Sequence, residues 1–386
     1  MNYRRFGELD WEGSALGFGC MRLPTIEGKH ENIDEPKAMD MLHYAIDRGL
    51  NYVDTAYPYH GGNSEVFVGK ALQGGYREKV RLATKSPVWK VEKTGDFDLY
   101  LNEQLEKLQV EHIDFYLLHA LNADRWESIC QLDFQGWAEK ALADGRIGHL
   151  GFSFHDEYEV FEEIVDGYDW TFCQIQYNFM DIENQAGTKG LKYAASKGMA
   201  VVIMEPLLGG RLVDPPDPVR RVWEQTEVDR SPVEWALQWL WNQPEVSVVL
   251  SGMSTMEHVE ENVAIADRSS VGKLTDEELR LYERVREEYE RLCPIPCTEC
   301  EYCMPCPHGV NIPANFSLYN QGVMYDKIDD SRGRYGWQIP EEKRANNCVQ
   351  CGVCEEQCPQ GIVISEWMPV VHQVLGEGEP VVCELD

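Results

Sequence analysis

A chain of 386 residues exceeds the roughly 250 to 300 residues at which a single hydrophobic core stops growing, so we expect more than one folded unit. The net charge of −31 opposes the phosphate contacts that bind nucleic acid, and no lysine- or arginine-rich run offsets it, so nucleic acid is not an expected partner. No apolar run approaches the roughly 20 residues of a membrane span, which predicts that the chain does not enter a membrane.

The chain opens with the segment MNYRRFGELDWEG, which carries two arginines but no apolar stretch behind them. It lacks the pattern of a secretory signal, and we expect a cytoplasmic protein. The first predicted strand, at 16–19, contains Gly17 and Gly19. These glycines do not complete the G-x-G-x-x-G pattern of a doubly wound dinucleotide fold, because Arg22 stands where the third glycine belongs.

Eight short segments rich in β-branched or apolar residues recur along the first part of the chain, each followed by a polar or glycine-rich loop. They cover residues 16–19, 52–54, 80–85, 114–119, 149–151, 172–177, 200–204 and 246–250. Between them lie stretches of helical period, for example at 36–48 and 98–108. Alternating strands and helices predict a parallel sheet, and eight units in roughly 280 residues predict an α/β fold of the closed (β/α)8 TIM-barrel type.

A strongly charged helix, predicted at 275–292, separates this barrel from a cysteine-rich end. We place the boundary near residue 285, with the barrel over residues 1–284 and a second domain over residues 285–386. Nine of the 13 cysteines lie between Cys293 and Cys358. Such clustering in a chain that shows no secretory signal is typical of metal binding rather than of disulfides.

The cysteines of the second domain form two runs of regular spacing. The first run contains Cys297, Cys300, Cys303 and Cys306, and the second contains Cys348, Cys351, Cys354 and Cys358. The second run matches the bacterial ferredoxin pattern C-x2-C-x2-C-x3-C-P, in which the last cysteine ligates the other cluster. We therefore predict two [4Fe-4S] clusters, one held by Cys297, Cys300, Cys303 and Cys358, and the other by Cys348, Cys351, Cys354 and Cys306.

The first run leaves alternatives open, because it is one residue short of the pattern before Cys306. Cys293 is therefore an alternative ligand in its place. Structural zinc sites usually pair two C-x2-C units across a longer loop, so the unbroken triplets favour iron–sulfur clusters over zinc. A c-type haem is excluded because no histidine directly follows Cys306. Predicted helices at 313–323 and 340–346 make the domain resemble the mostly α-helical two-cluster ferredoxins.

The barrel carries motifs that resemble the aldo-keto reductases. Residues 51–59 read NYVDTAYPY, which has that family's Asp-Thr-Ala-x-x-Tyr form, followed by GNSE at 62–65 and VGKAL at 68–72. The segments LATK at 82–85, DFYLLH at 114–119, GRIGHLGFS at 145–153 and QIQYN at 174–178 resemble further strand ends of the family. The resemblance runs over roughly residues 1–285 and implies an oxidoreductase that acts on a small-molecule carbonyl or alcohol.

Position by position, the resemblance implies a catalytic tetrad of Asp54, Tyr59, Lys85 and His119. The predicted strands put all four at or just beyond C-terminal strand ends, the face on which barrel active sites lie. Tyr59 would give a proton to the carbonyl, while His119 hydrogen-bonds the carbonyl oxygen. Lowering a tyrosine pKa by three units from about 10 takes about 4 kcal/mol. One ammonium about 4 Å away supplies that much, so Lys85, held charged by Asp54, is expected to suffice.

The resemblance also implies a nicotinamide cofactor, NADH or NADPH, with its phosphates near the loops after strands seven and eight. The expected cofactor-binding residues are Ser153, Gln176, Tyr177, Gly209, Gly210, Ser251, Gly252, Glu261 and Asn262. The Gly209–Gly210 pair also fits an ordinary tight turn. Many NADP-specific members carry a lysine or arginine just after the eighth strand, whereas residues 253–256 read MSTM here, so the sequence does not predict a preference for NADP.

Three further residues are candidates for the substrate pocket. Cys20 follows the first strand on the active-site face and is a candidate contact for cofactor or substrate. Trp89 and Trp126 lie in predicted loops and would suit an aromatic or sugar substrate, although packing in a core is an equal alternative.

Nicotinamides transfer two electrons as hydride, whereas an iron–sulfur cluster passes one electron at a time. The clusters are therefore either structural or connected to the barrel through a converter, and a bound FMN is a hypothesis motivated by this mismatch alone. A separate ferredoxin or other redox partner, docked on the cysteine-rich domain, is an alternative electron donor. The alternative to an enzyme is a redox-sensing or electron-relay subunit whose barrel is a regulatory scaffold, although the complete tetrad disfavours it.

Overall fold

The computed structural model describes residues 1–385. The chain divides into two compact units, one built from Met1–Gly209 and Val233–Leu274, the other from Gly210–Pro232 and the chain from Thr275 onward. Residues 210–232 thus lie inside the range predicted for the barrel but group with the second unit, while the boundary at 284/285 stays a prediction. Among residues 1–385, no helix is both long enough and apolar enough to cross a membrane.

The first unit is a closed barrel of eight parallel strands, as predicted. A hairpin of β1 (Tyr3–Arg5) and β2 (Glu12–Ser14) comes first, followed by β3 (Leu16–Gly19), β4 (Tyr52–Asp54), β5 (Arg81–Ser86), β6 (Ile113–Leu121), β7 (Ile147–Phe154), β8 (Phe172–Gln176), β9 (Ala200–Met204) and β10 (Val246–Ser251). Strand β10 pairs with β3 and closes the sheet. The hairpin was not predicted, because strands of three residues are too short to show a period.

The helices complete the two units. In chain order they are α1 (Glu35–Asp47), α2 (Asn63–Ala71), α3 (Thr94–Leu108), α4 (Ala123–Cys130), α5 (Phe134–Ala143), α6 (Tyr158–Asp166), α7 (Gly187–Ser196), α8 (Asp217–Trp223), α9 (Pro232–Trp241), α10 (Met256–Ala266), α11 (Asp276–Arg291), α12 (Ile312–Met324), α13 (Ile328–Gln338) and α14 (Ile364–Gly376). Helix α1 begins where the Asp34 side chain accepts a hydrogen bond from Lys37 N, with a proline in its first turn.

The barrel interior is packed with apolar side chains at the starts of the strands. Tyr52 and Phe172, the first residues of β4 and β8, lie there together with Phe115. Phe6, beside the hairpin, is fully buried against them, with its ring centroid 4.6 Å from that of Phe115. Side chains two residues apart on a strand share a face, so the next inward position on β4 is Asp54. Polar groups therefore lie toward the C-terminal strand ends.

The second unit is helical, and its core contains Phe316, Tyr319 and Trp367 from α12 and α14. The prediction of a helix at 313–323 is confirmed by α12. The helix predicted at 340–346 is wrong, because Arg344 is extended and divides the segment into two single 3-10 turns. The mostly α-helical character predicted for this part of the chain is confirmed.

Replacing Phe6 with alanine tests the closure of the barrel. We expect the free energy of unfolding to fall by about 3–5 kcal/mol, because the change leaves a cavity among buried aromatic rings. The measurement is urea unfolding followed by circular dichroism. Leu99→Ala on the exposed face of α3 is the control and should stay within about 0.5 kcal/mol of the unaltered protein. Equal unfolding of the two variants would contradict the packing described for Phe6.

Candidate active site and cysteine cavities

Neighbouring strand ends bring the predicted tetrad together. Asp54 ends β4 and Lys85 lies in β5, and Lys85 Nζ is 2.6 Å from Asp54 Oδ1. The same ammonium donates to Thr55 O at 2.8 Å and lies 3.4 Å from the Tyr59 hydroxyl oxygen. Asp54 and Lys85 are both buried. Burial opposes the charge of Lys85, but Asp54 and Tyr59 raise its pKa overall, so the ammonium stays protonated.

His119, in β6, completes this group. Its ring meets that of Tyr59 edge to face, with the centroids 6.1 Å apart. Burial, and after it the positive charge of Lys85, holds the pKa of His119 well below its ordinary value. The imidazole is therefore neutral and carries one N–H donor. Its Nδ1 is buried and has no hydrogen-bond partner within residues 1–385.

The acidity of Tyr59 differs from the expectation. Burial raises the pKa of Tyr59 more than the Lys85 ammonium lowers it, and the Asp54 carboxylate raises it further. The expectation that Lys85 alone brings Tyr59 to ionise near neutral pH is wrong, because the Coulomb estimate left out the cost of desolvating the phenolate. Tyr59 keeps its proton at neutral pH and can serve as a proton donor.

A buried hydrogen-bond network fixes the backbone behind Lys85. Glu65, on α2, is fully buried, and its Oε1 accepts from Thr84 Oγ1 at 2.6 Å and from Gln104 Nε2 at 2.5 Å. Gln104 Nε2 also donates to Lys85 O at 3.0 Å, while its Oε1 accepts from the Tyr116 hydroxyl at 2.6 Å. The network joins α2, α3 and β6 to the strand that carries Lys85.

Four of the predicted cofactor residues are buried polar groups at or near strand ends. Ser153 Oγ accepts from Ala120 N at 2.7 Å. Asn262, on α10, donates to Ser251 Oγ at 3.0 Å. Gln176 Nε2 donates to an oxygen of the Asp181 carboxylate, 2.5 Å away. These side chains are held in fixed orientations.

The remaining predicted cofactor residues do not belong to this group of buried polar side chains at the strand ends. Tyr177 packs among the helices, its ring 5.1 Å from that of Trp239, and does not join the inward-facing group. Glu261 is exposed on α10. Gly252 directly follows β10. Gly209 ends the first stretch of the barrel unit, while Gly210 belongs to the second unit. Cofactor binding by each of these residues stays a prediction.

Gln174 is a candidate that the sequence analysis missed. It lies between the inward-facing Phe172 and Gln176 on β8, and its Oε1 is buried with no hydrogen-bond partner within the described residues. Its Nε2 lies 3.6 Å from Met204 Sδ. The sequence did contain a signal for Gln174, because alternate residues of a strand share a face and both Gln174 and Gln176 are polar.

The extra pocket candidates separate into two groups. Trp89 is 42 % exposed, its ring lies 5.2 Å from that of His119, and the Arg125 guanidinium lies 5.5 Å from its centre. Trp126 is buried among helices and donates to Glu163, so it packs in the core. Cys20 is buried, and its thiol pKa is raised by burial and then by the Asp54 charge, which leaves it protonated.

Eight cysteines of the second unit border two cavities. The first is lined by Cys297, Cys300, Cys303 and Cys358 together with apolar residues such as Phe316. The second is lined by Cys306, Cys348, Cys351 and Cys354. Four thiols around one cavity are the donor set of a [4Fe-4S] cluster, so the residues present fit that group. Among residues 1–385, no three His, Cys, Asp or Glu side chains are grouped to hold a single metal ion.

Cys293 was the alternative to Cys306 as a ligand. Its Sγ lies 3.5 Å from Met324 Sδ, and it lines neither cavity, whereas Cys306 lines the second. The geometry therefore favours Cys306, although the ligand set itself stays a prediction.

Comparison with known proteins gives two family matches. A model described as "Aldo/keto reductase family" matches residues 15–287, and one described as "4Fe-4S dicluster domain" matches residues 296–363. The chain is 27% identical over 310 residues to the uncharacterized oxidoreductase YqkF of Bacillus subtilis (strain 168), covering 72% of this chain and 95% of that protein. It is 27% identical over 336 residues to the NADH-specific methylglyoxal reductase of Escherichia coli (strain K12), covering 74% and 98%.

Among solved structures, the holo form of aldo-keto reductase AKR11C1 from Bacillus halodurans aligns with a TM-score of 0.62 at 27% identity. The alignment covers 74% of this chain and 96% of that one. This likeness agrees with the barrel of eight parallel strands.

Replacing His119 with glutamine tests whether its imidazole is neutral. Because the folded pKa lies below the ordinary value of about 6.5, the unfolded chain takes up a proton first as the pH falls. The unaltered protein should therefore lose stability below about pH 6.5, by up to about 1.4 kcal/mol per pH unit from this residue. His119→Gln should lose less between pH 7 and pH 5.5 in urea unfolding.

His60 and His155, whose pKa values desolvation also lowers, contribute to the loss in both proteins. Only the difference between the two slopes therefore reports on His119. Equal losses in the two proteins would contradict a neutral, desolvated imidazole at this position.

Proposed function

Because the chain belongs to the aldo/keto reductase family, we propose that it reduces the carbonyl group of a small molecule with hydride from a nicotinamide cofactor. The two family matches establish the coarser statement, an oxidoreductase barrel followed by a 4Fe-4S dicluster domain. The observation that carries the proposal is the buried ammonium of Lys85, 2.6 Å from Asp54 and 3.4 Å from the Tyr59 hydroxyl.

The proton in this reaction comes from Tyr59. Its raised pKa keeps the hydroxyl protonated until a stronger base, the developing alkoxide, is beside it. When the proton leaves, the phenolate faces Lys85, and one such contact is worth about 4 kcal/mol at about 4 Å in an environment of effective dielectric near 20. Asp54 supports this step because it holds the ammonium charged and in place.

The carbonyl oxygen is oriented by His119. As a neutral imidazole it donates one hydrogen bond to the oxygen on which negative charge grows, without adding a second positive charge beside Lys85. Trp89, beside His119 and partly exposed, would contact the rest of the substrate. These contacts support a small carbonyl compound with an apolar part as substrate.

The nicotinamide supplies two electrons as hydride when it is bound. Gln174 Oε1, which is buried and has no hydrogen-bond partner within the described residues, would accept a hydrogen bond from the carboxamide N–H of that ring. Ser153, Ser251 and Asn262, all buried, would hold other polar groups of the cofactor. Two observations support NADH over NADPH: residues 253–256 contain no lysine or arginine, and the relative from Escherichia coli is named as NADH-specific.

We also propose that the second unit holds two [4Fe-4S] clusters, one in each cysteine-lined cavity. The 4Fe-4S dicluster match over residues 296–363 supports this assignment. The clusters would exchange single electrons with a redox partner such as a ferredoxin, or serve to hold the unit together. A bound FMN that connects them to the barrel remains a hypothesis, and fully loaded protein that releases no flavin on heating would end it.

Replacing Tyr59 with phenylalanine should lower kcat by about 10²- to 10⁴-fold, because the proton donor is lost while the ring remains. The measurement is NADH-dependent reduction of methylglyoxal, with the dissociation constant of NADH determined alongside. Tyr57→Phe is the matched control, since the Tyr57 hydroxyl bonds only to Glu103 among the described contacts. Unchanged kcat in Tyr59→Phe, in a protein that turns methylglyoxal over, would contradict the assignment.

Replacing Cys306 or Cys293 with serine identifies the eighth ligand. Cys306→Ser should lose about half of the bound iron, since one of the two proposed clusters loses a thiolate. Cys293→Ser should keep its iron, because Cys293 lines neither cavity. Iron and acid-labile sulfide are measured after anaerobic purification, and loss in Cys293→Ser with retention in Cys306→Ser would reverse the assignment.

A further inference from the structure

The side chain of Arg22 lies beside the two loops at which the cofactor phosphates are expected. Arg22 ends the single 3-10 turn, Cys20–Arg22, that follows β3. A Cβ added to Gly252 would lie 3.1 Å from Arg22 Cδ, and one added to Gly209 would lie 3.3 Å from Arg22 Nη2. The aliphatic part of the side chain therefore crosses the backbone at Gly252, and the guanidinium ends beside Gly209.

The loops beside the Arg22 side chain contain glycines at the points of closest approach. Gly252 and Gly209 carry no side chain that would displace Arg22, and Gly209 has a φ of +68°, which disfavours other residues. The chain at the end of β3 also lies close to the end of β10, because a Cβ added to Gly19 would be 3.3 Å from Ser251 O. Glycines thus let the loops after β3, β9 and β10 come together at one point, with the guanidinium as the charged group there.

The guanidinium of Arg22 is not neutralised by the protein. Among residues 1–385 it makes no hydrogen bond and no ion pair, and its side chain is exposed. Five N–H donors in a planar fork are therefore available to an anion that enters from solvent.

We infer that Arg22 binds the diphosphate of the nicotinamide cofactor, an inference that rests on the proposed function. The guanidinium lies at the loops after β9 and β10, where barrels of this type bind phosphate. A planar guanidinium matches two phosphate oxygens at once. The diphosphate is common to NADH and NADPH, so this contact supplies charge for either cofactor in a chain whose residues 253–256 offer no cation.

The test is the dissociation constant of NADH and of NADPH, measured by calorimetry on the full-length protein. Arg22→Met should weaken both by a similar factor, about 10- to 100-fold, as expected for hydrogen bonds to a charged group. Arg22→Lys, which keeps the charge but not the fork, should recover part of the loss.

Arg5→Met is the matched control. Arg5 is another exposed arginine of the barrel unit, on the hairpin strand β1, and its replacement removes the same charge without altering the loops. Binding of both cofactors should stay within a factor of about two, which separates the local contact from a general change in net charge. Equal weakening in Arg5→Met and Arg22→Met would overturn the inference.

Two other outcomes would also overturn it: unchanged binding of both cofactors in Arg22→Met, or a loss confined to NADPH, which would assign Arg22 to the 2′-phosphate. The proposed function is tested separately, by cofactor binding to the unaltered protein. If that protein binds neither cofactor, the nicotinamide reaction itself fails and this inference fails with it. If it binds NADH and Arg22→Met binds equally well, only the role of Arg22 fails.

Discussion

The ion pair between Lys85 and Asp54 is the interaction on which the rest of the site depends. A charge removed from water costs several kcal/mol unless it is paired and hydrogen-bonded. Here the ammonium has a carboxylate at 2.6 Å and the Thr55 carbonyl at 2.8 Å, and its strand is held from behind by Gln104 and the buried Glu65. These polar groups offset the free-energy cost of burying one positive charge inside the barrel.

That charge then determines the chemistry of its neighbours. At Tyr59 it opposes burial without overcoming it, so the phenol keeps a proton that it can give away and the resulting phenolate has a partner. At His119 it acts together with burial, and the imidazole stays neutral. Burial against this charge keeps Tyr59 protonated, and burial together with it keeps His119 uncharged, the two protonation states that the proposed carbonyl reduction requires.

In the second unit the cysteines, and not a buried charge, define the candidate sites. Its eight cysteines border two cavities whose other walls include apolar side chains, and the last cysteine of each run lines the cavity of the other run. Residues 210–232, which follow the Gly209 loop of the barrel, group with this unit.

The sequence by itself determined the barrel and the helical cysteine domain and predicted the tetrad positions, because strand period, cysteine spacing and the Asp-Thr-Ala-x-x-Tyr motif are local patterns. It also suggested how the cysteines divide between two sites. Tertiary structure decided what depends on burial and on loops distant in sequence. Desolvation reversed the expected shift at Tyr59, Tyr177 turned toward the helices, and the approach of Gly209 and Gly252 to Arg22 joins residues about 190 to 230 positions apart. No local pattern contains such distances or the cost of removing a charge from water.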